Sequence, residues 1–63
     1  MKGLRLIRER KHITVDELAA KCGVSAQTIA YLEFYDTVKC STKLLLLLAD
    51  ALGVSLEALL FYS

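Results

Sequence analysis

With 63 residues, the chain has room for one small domain, close to the lower size at which a core holds without metal or disulfide. More than half of its residues are apolar, proline is absent and glycine occurs three times, which excludes a disordered tail and points to a packed helical body. Eight basic residues against seven acidic leave a net charge of +1, without the clear basic excess usual in nucleic-acid binders, and the longest apolar run, Leu44–Ala49, is too short for a membrane span.

Met1 leads into charged residues with no signal-peptide core, so the expected setting is the cytoplasm. There Cys22 and Cys40 are expected as free thiols rather than as a disulfide. Two cysteines and one histidine lack the spacing of a four-ligand metal site, so no metal and no cofactor is expected.

In chain order, the spacing of Leu4, Ile7 and Arg8 predicts a first helix over about Lys2–Lys11. His12 follows where a left-handed residue would end it, and the lone imidazole reads as a helix stop rather than a catalyst. Lys2, Arg5, Arg8, Arg10 and Lys11 concentrate charge on this helix; Lys2 and Lys11 read as a solvated face. Thr14 and Glu17 have the spacing of a capping box opening a second helix, Val15–Cys22, whose acids Asp16 and Glu17 suit the positive end of its dipole. Gly23 can take the left-handed conformation that turns one helix into the next, and Ser25 is placed to cap a third helix, Ala26–Phe34. Leu18, Cys22, Val24, Ile29 and Leu32 mark the inward face, and Ala19 is small enough for a close approach. Periodicity alone would allow an ordinary helical hairpin. The small residue, the glycine and the apolar offsets together read as a helix-turn-helix over Val15–Phe34, a motif whose second helix commonly enters the major groove of DNA.

A loop over Tyr35–Cys40 leads to a fourth helix, about Thr42–Leu52, with Ser41 as its cap and Gly53 as its stop; Ser55 then caps a fifth, Leu56–Phe61. On the fourth, Leu45, Leu48, Ala49 and Leu52 share an inward face with Leu46 at its border. Leu47 lies one turn from Lys43 and from Asp50 and is expected outward, with Leu44 at a margin. Leu6, Val38, Phe34 and Tyr35 also read as exposed, and together these apolar residues are most simply an interface between two copies. No Gly-rich phosphate loop, Ser/His/Asp set or paired acids in a pocket occurs, so no enzyme is expected.

Four stretches carry a resemblance: Leu4-x-x-Ile7-Arg8; Ile13-Thr14-x-x-Glu17-Leu18-Ala19; Gly23-Val24-Ser25-x-x-Thr28-Ile29-x-x-Leu32-Glu33; and Leu48-Ala49-x-Ala51-Leu52-Gly53-Val54-Ser55-x-x-x-Leu59-Leu60. In these, over residues 3 to 61, the chain resembles the Cro/C1-type (Xre) helix-turn-helix family of phage repressors and small bacterial regulators. The resemblance implies an all-α, compact five-helix bundle of the lambda-repressor-like kind. It also implies one domain over residues 1–63 that binds a double-stranded DNA operator, commonly as a homodimer. By position it assigns Ala26, Gln27 and Tyr31 to base edges, and the Gln27 amide has the chemistry to pair with adenine. It assigns Ser25 and the stretch Thr37 to Ser41 to phosphate, with Lys39 and Lys43 adding charge. It pairs Arg8 with Glu33 in a partly buried ion pair. Because the last helix and its neighbouring turn often meet across a two-fold axis in this family, the outward Leu44 and Leu47 with the apolar Phe61 and Tyr62 are expected at a dimer interface.

The chain also departs from that family. Val15 stands where many relatives carry glutamine, and Tyr31 where many carry a basic or polar residue. Ala26 and Ala30 are bare. Phe34-Tyr35 and Cys40 replace a glycine and a proline in a loop that is slightly longer than usual. The apolar face of Val15, Tyr31, Phe34 and Tyr35 therefore keeps a second function in view, a module that binds a protein partner.

Overall fold

Five helices follow one another: α1 (Lys2–Arg10), α2 (Val15–Cys22), α3 (Ala26–Phe34), α4 (Thr42–Leu52) and α5 (Leu56–Phe61). They come from a computed structural model that describes residues 1–35 and 41–61, the side chains of Lys2 and Phe61 excepted. Thr37, Val38, Lys39, Cys40 and Tyr62 lie outside the described residues. No helix among the described residues is long and apolar enough to cross a membrane.

Three of the joints are built alike. His12-Ile13-Thr14, Gly23-Val24-Ser25 and Gly53-Val54-Ser55 each run from a left-handed residue, through a β-branched apolar residue, to a hydroxyl cap. The left-handed φ values are 57°, 71° and 68°. In each joint two reverse-turn bonds close the preceding helix: Ile13 N–H donates to the Arg8 carbonyl at 3.1 Å, Val24 N–H to Ala19 at 3.1 Å and Val54 N–H to Ala49 at 3.0 Å. The left-handed residue supplies the companion bond, so the carbonyls at each helix end are satisfied. Ile13, Val24 and Val54 then pack half-buried on the core, and the hydroxyl starts the next helix. Thr14 accepts from Glu17 N–H at 3.0 Å, Ser25 from Thr28 N–H at 3.1 Å and Ser55 from Ala58 N–H at 3.2 Å. Thr14 and Glu17 complete a capping box. Thr14 holds the Glu17 carboxyl below its ordinary pKa through its backbone N–H first and its hydroxyl second. That contribution is complete above the ordinary carboxylate range and is lost as pH falls through the lowered value.

α2 packs on α3 and α4, α1 on α5 and α3, and α4 on α5. The fully buried large side chains are Leu4, Leu18, Ile29, Leu48, Leu52 and Leu59, so every helix contributes at least one. Each such burial favours folding by about 1.5–3 kcal/mol. Cys22 is a free, buried thiol among them, and burial pushes its pKa up, so it behaves as a small apolar residue.

One outward position on α4 differs from the sequence expectation. Leu46 is 55% exposed and Leu47 only 37%. Leu44, Leu47 and Ala51 form one row along the helix, and both Leu44 and Ala51 pack against the core. Leu46 instead shares a row with Lys43 and Asp50, both exposed. The buried stripe is thus centred toward the Leu44 side, which half-covers Leu44 and leaves Leu46, not Leu47, as the most open leucine.

Gly3 is the residue whose role the sequence did not disclose. A methyl group built on it would lie 2.5 Å from the carbonyl oxygen of Leu59 and 2.9 Å from that of Ala58. The backbone of α5 therefore lies against α1 at a point that admits no side chain. Alanine would gain about 1 kcal/mol in helix propensity, but overpacking against backbone costs about 1–3 kcal/mol. Gly3→Ala is expected to lower the thermal midpoint, and a raised midpoint, the result of propensity alone, would contradict this close approach.

Candidate nucleic-acid interface

The α2–α3 joint sets the angle at which α3 leaves the core. Gly23 has no neighbour within 4 Å of a built Cβ, so it is needed for its positive φ and not for space. Past the joint, Ile29 and Leu32 are buried and fix the inner side of α3. Gln27, Ala30, Tyr31 and Phe34 are all exposed. At offsets of three and four they form one outward stripe.

α3 carries a single charged residue, Glu33, and it is drawn off that stripe. Arg8 of α1 donates from Nε to Glu33 Oε2 at 2.5 Å and from Nη2 to Oε1 at 3.2 Å. Its Nη1 donates to the Ile13 carbonyl at 2.8 Å. Only 12% of the Arg8 side chain and 8% of the Glu33 side chain are exposed. The hydrogen bond to Glu33 raises the Arg8 pKa above its ordinary value, against the opposing effect of burial. The same arginine also accepts the Ile13 N–H on its own carbonyl, so Ile13 is held from both ends. A further tie comes from the amino group of Met1, which donates to the Leu32 carbonyl at 2.9 Å and to that of Tyr35.

Aromatic rings gather where α3 ends. The rings of Tyr31 and Tyr35 lie 4.5 Å apart between centroids, and those of Phe34 and Tyr35 lie 6.1 Å apart. Phe34 is 82% exposed and Tyr31 48%. The spacing of four between the tyrosines is the signal in the sequence that marks this pair.

The other expected residues divide. Ser25 is exposed, and besides capping α3 its hydroxyl lies 2.9 Å from that of Thr28. Ser41 is exposed and caps α4 by accepting from Leu44 N–H at 3.2 Å. Lys43 is exposed in the first turn of α4, where a helix dipole disfavours positive charge. α2 and α5 carry acids in their first turns, whereas α3 and α4 carry none. Ala26 and Val15 are half-buried and pack against the core. Ala26 therefore gives only part of its surface to the outer side of α3, and Val15 is withdrawn from the aromatic face.

Comparison with known proteins agrees with this geometry. The family model for helix-turn-helix proteins of the Cro/C1 type matches residues 4–59, and the chain belongs to that family of DNA-binding transcription regulators. No curated protein and no solved structure matches the chain.

The Arg8–Glu33 pair has a measurable consequence. Removing one partner of a buried pair strands the other charge and costs about 3–5 kcal/mol, whereas an exposed pair contributes about 0–1 kcal/mol. A domain this small has a total margin of about 3–5 kcal/mol. Glu33→Gln and Arg8→Met are therefore expected to melt at markedly lower temperature, while Arg8→Met combined with Glu33→Leu recovers much of the loss. Unchanged midpoints in the single variants would place the pair among surface charges.

Proposed function

We propose that the chain is a sequence-specific, repressor-like regulator that occupies operator DNA as a homodimer with α3 in the major groove. The observation that carries the reading is the outward stripe of α3, where Gln27 and Tyr31 are exposed on the second helix of a helix-turn-helix. The Gln27 amide donates and accepts together, which matches adenine N6 and N7. Ser25, Ser41 and Lys43 lie at helix starts without first-turn acids, which suits phosphate. Thr37 and Lys39 belong to the same proposed contact by family position. A second reading, a protein-interaction module, draws on the exposure of Phe34, Tyr31 and Tyr35, but the half-burial of Val15 narrows its surface.

Selection of duplexes from a random pool, at low and at physiological salt, tests the DNA reading. Gln27→Ala is expected to lose about 1–3 kcal/mol for the preferred base pair alone. Lys43→Ala should weaken binding to all sequences alike and flatten the salt dependence by about one unit of slope. A pool that yields no sequence preference even at low salt, with Tyr31→Ala abolishing capture of a protein partner, would transfer the function to the second reading.

The homodimer rests on the outer side of α4 and α5. Leu46, Leu47 and Leu60 are exposed there, Leu44 gives only its margin, and Phe61 and Tyr62 add apolar residues at the C-terminal end of the sequence. A two-fold interface would set two copies of α3 about 34–36 Å apart, one turn of DNA. Sedimentation at micromolar concentration should give a dimer that Leu46→Glu dissociates; a monomer at that concentration would count against it.

A further inference from the structure

The outward stripe of α3 is defined as much by the chemistry it lacks as by what it holds. Specific contact to guanine relies on Arg or Lys, and contact to the cytosine amino group on Asp or Glu. α3 has no Arg or Lys, and its one acid, Glu33, is turned away into the pair with Arg8. What stays exposed is one amide, Gln27, and a run of apolar surface in Ala30, Tyr31 and Phe34. The amide fits adenine; the only base-edge group in the major groove that apolar surface fits is the 5-methyl of thymine.

We infer that this stripe reads A·T pairs, with Tyr31 as the specificity-determining residue for a thymine 5-methyl group and Tyr35 as the ring that holds it in place. This rests on the DNA reading above. Tyr31 follows Gln27 by one turn, about 6 Å along the helix axis, which is one to two base-pair steps at about 3.4 Å each. The two residues therefore meet neighbouring pairs. The Tyr35 ring, 4.5 Å from that of Tyr31, limits the positions Tyr31 can take, so less freedom is lost when the ring meets a methyl group. The apolar body of Tyr31, not its hydroxyl, makes the contact, and Phe34 extends the same surface.

The probe is the duplex best retained by the wild-type chain from the random pool, with each thymine replaced in turn by deoxyuridine, which removes only the methyl group. At one or two positions the replacement should weaken binding about fourfold, the effect of losing one buried carbon. Tyr31→Phe should keep that discrimination. Tyr31→Ala, at an exposed position that leaves the core untouched, should bind the thymine and uracil forms equally while keeping the adenine preference owed to Gln27. Equal wild-type affinity for both forms, with sequence preference otherwise intact, would overturn the thymine reading and leave the DNA reading standing. So would discrimination that survives in Tyr31→Ala, or a selected duplex whose specific positions are G·C. If no duplex is retained in preference to any other, both readings fall together.

Discussion

The fork between Arg8 and Glu33 is the constraint on which the rest of the arrangement depends, because α3 is apolar on both sides. Ile29 and Leu32 face the core, while Ala30, Tyr31 and Phe34 face outward. Burial of apolar area is non-directional. By area alone, the face with two aromatic rings would be the better one to hide. A charged hydrogen bond is directional, and one made by two parallel N–H groups fixes both distance and plane. With Glu33 anchored to α1 and Ser25 capping the other end, α3 has one rotation about its axis that satisfies both. The buried Ile29 and Leu32 and these polar contacts together leave the aromatic face outside.

That same arginine ties the rotation of α3 to the first joint. Its side chain and its carbonyl both engage Ile13, so the end of α1, the approach to α2 and the far end of α3 share one residue. Loss of the guanidinium would release three segments at once, and it would also leave an unmatched carboxylate beside the proposed reading stripe. Stability and electrostatics of the interface thus depend on a single group.

The helices and their joints were legible in the sequence because local rules wrote them. A left-handed residue, a β-branched residue and a hydroxyl recur at three joints, and each is satisfied within a few residues of itself. What stayed hidden depends on neighbours distant in sequence. Leu46 and Leu47 are nearly equivalent on α4 until the half-burial of Leu44 and Ala51 shifts the covered side. Ala26 and Val15 look free until the core is assembled around them. Gly3 could be noticed as a glycine inside a helix, but only the carbonyls of Leu59 and Ala58 give its reason. For the interface, residue types were readable and their positions followed from family resemblance. The withdrawal of the sole acid of α3 from its outer face was legible the same way, through the resemblance that pairs Glu33 with Arg8, and the structure shows that pair.

An uncharged reading stripe on a chain of net charge +1 has a consequence for how such a regulator would discriminate. Attraction to phosphate raises affinity for every sequence alike, in proportion to the phosphates neutralised. A reader with so small a net positive charge gains little from that term, so operator and bulk DNA differ mainly through base contacts, and the salt slope of binding is shallow. The remaining contacts are an amide and apolar rings, each contributing only modest free energy. Two such stripes held in one dimer add their base contacts on a single duplex. On the proposed reading, the exposed leucines of α4 and α5 are therefore not incidental to DNA recognition: the weaker the electrostatic term of each copy, the more the affinity for an operator rests on the interface that joins the two.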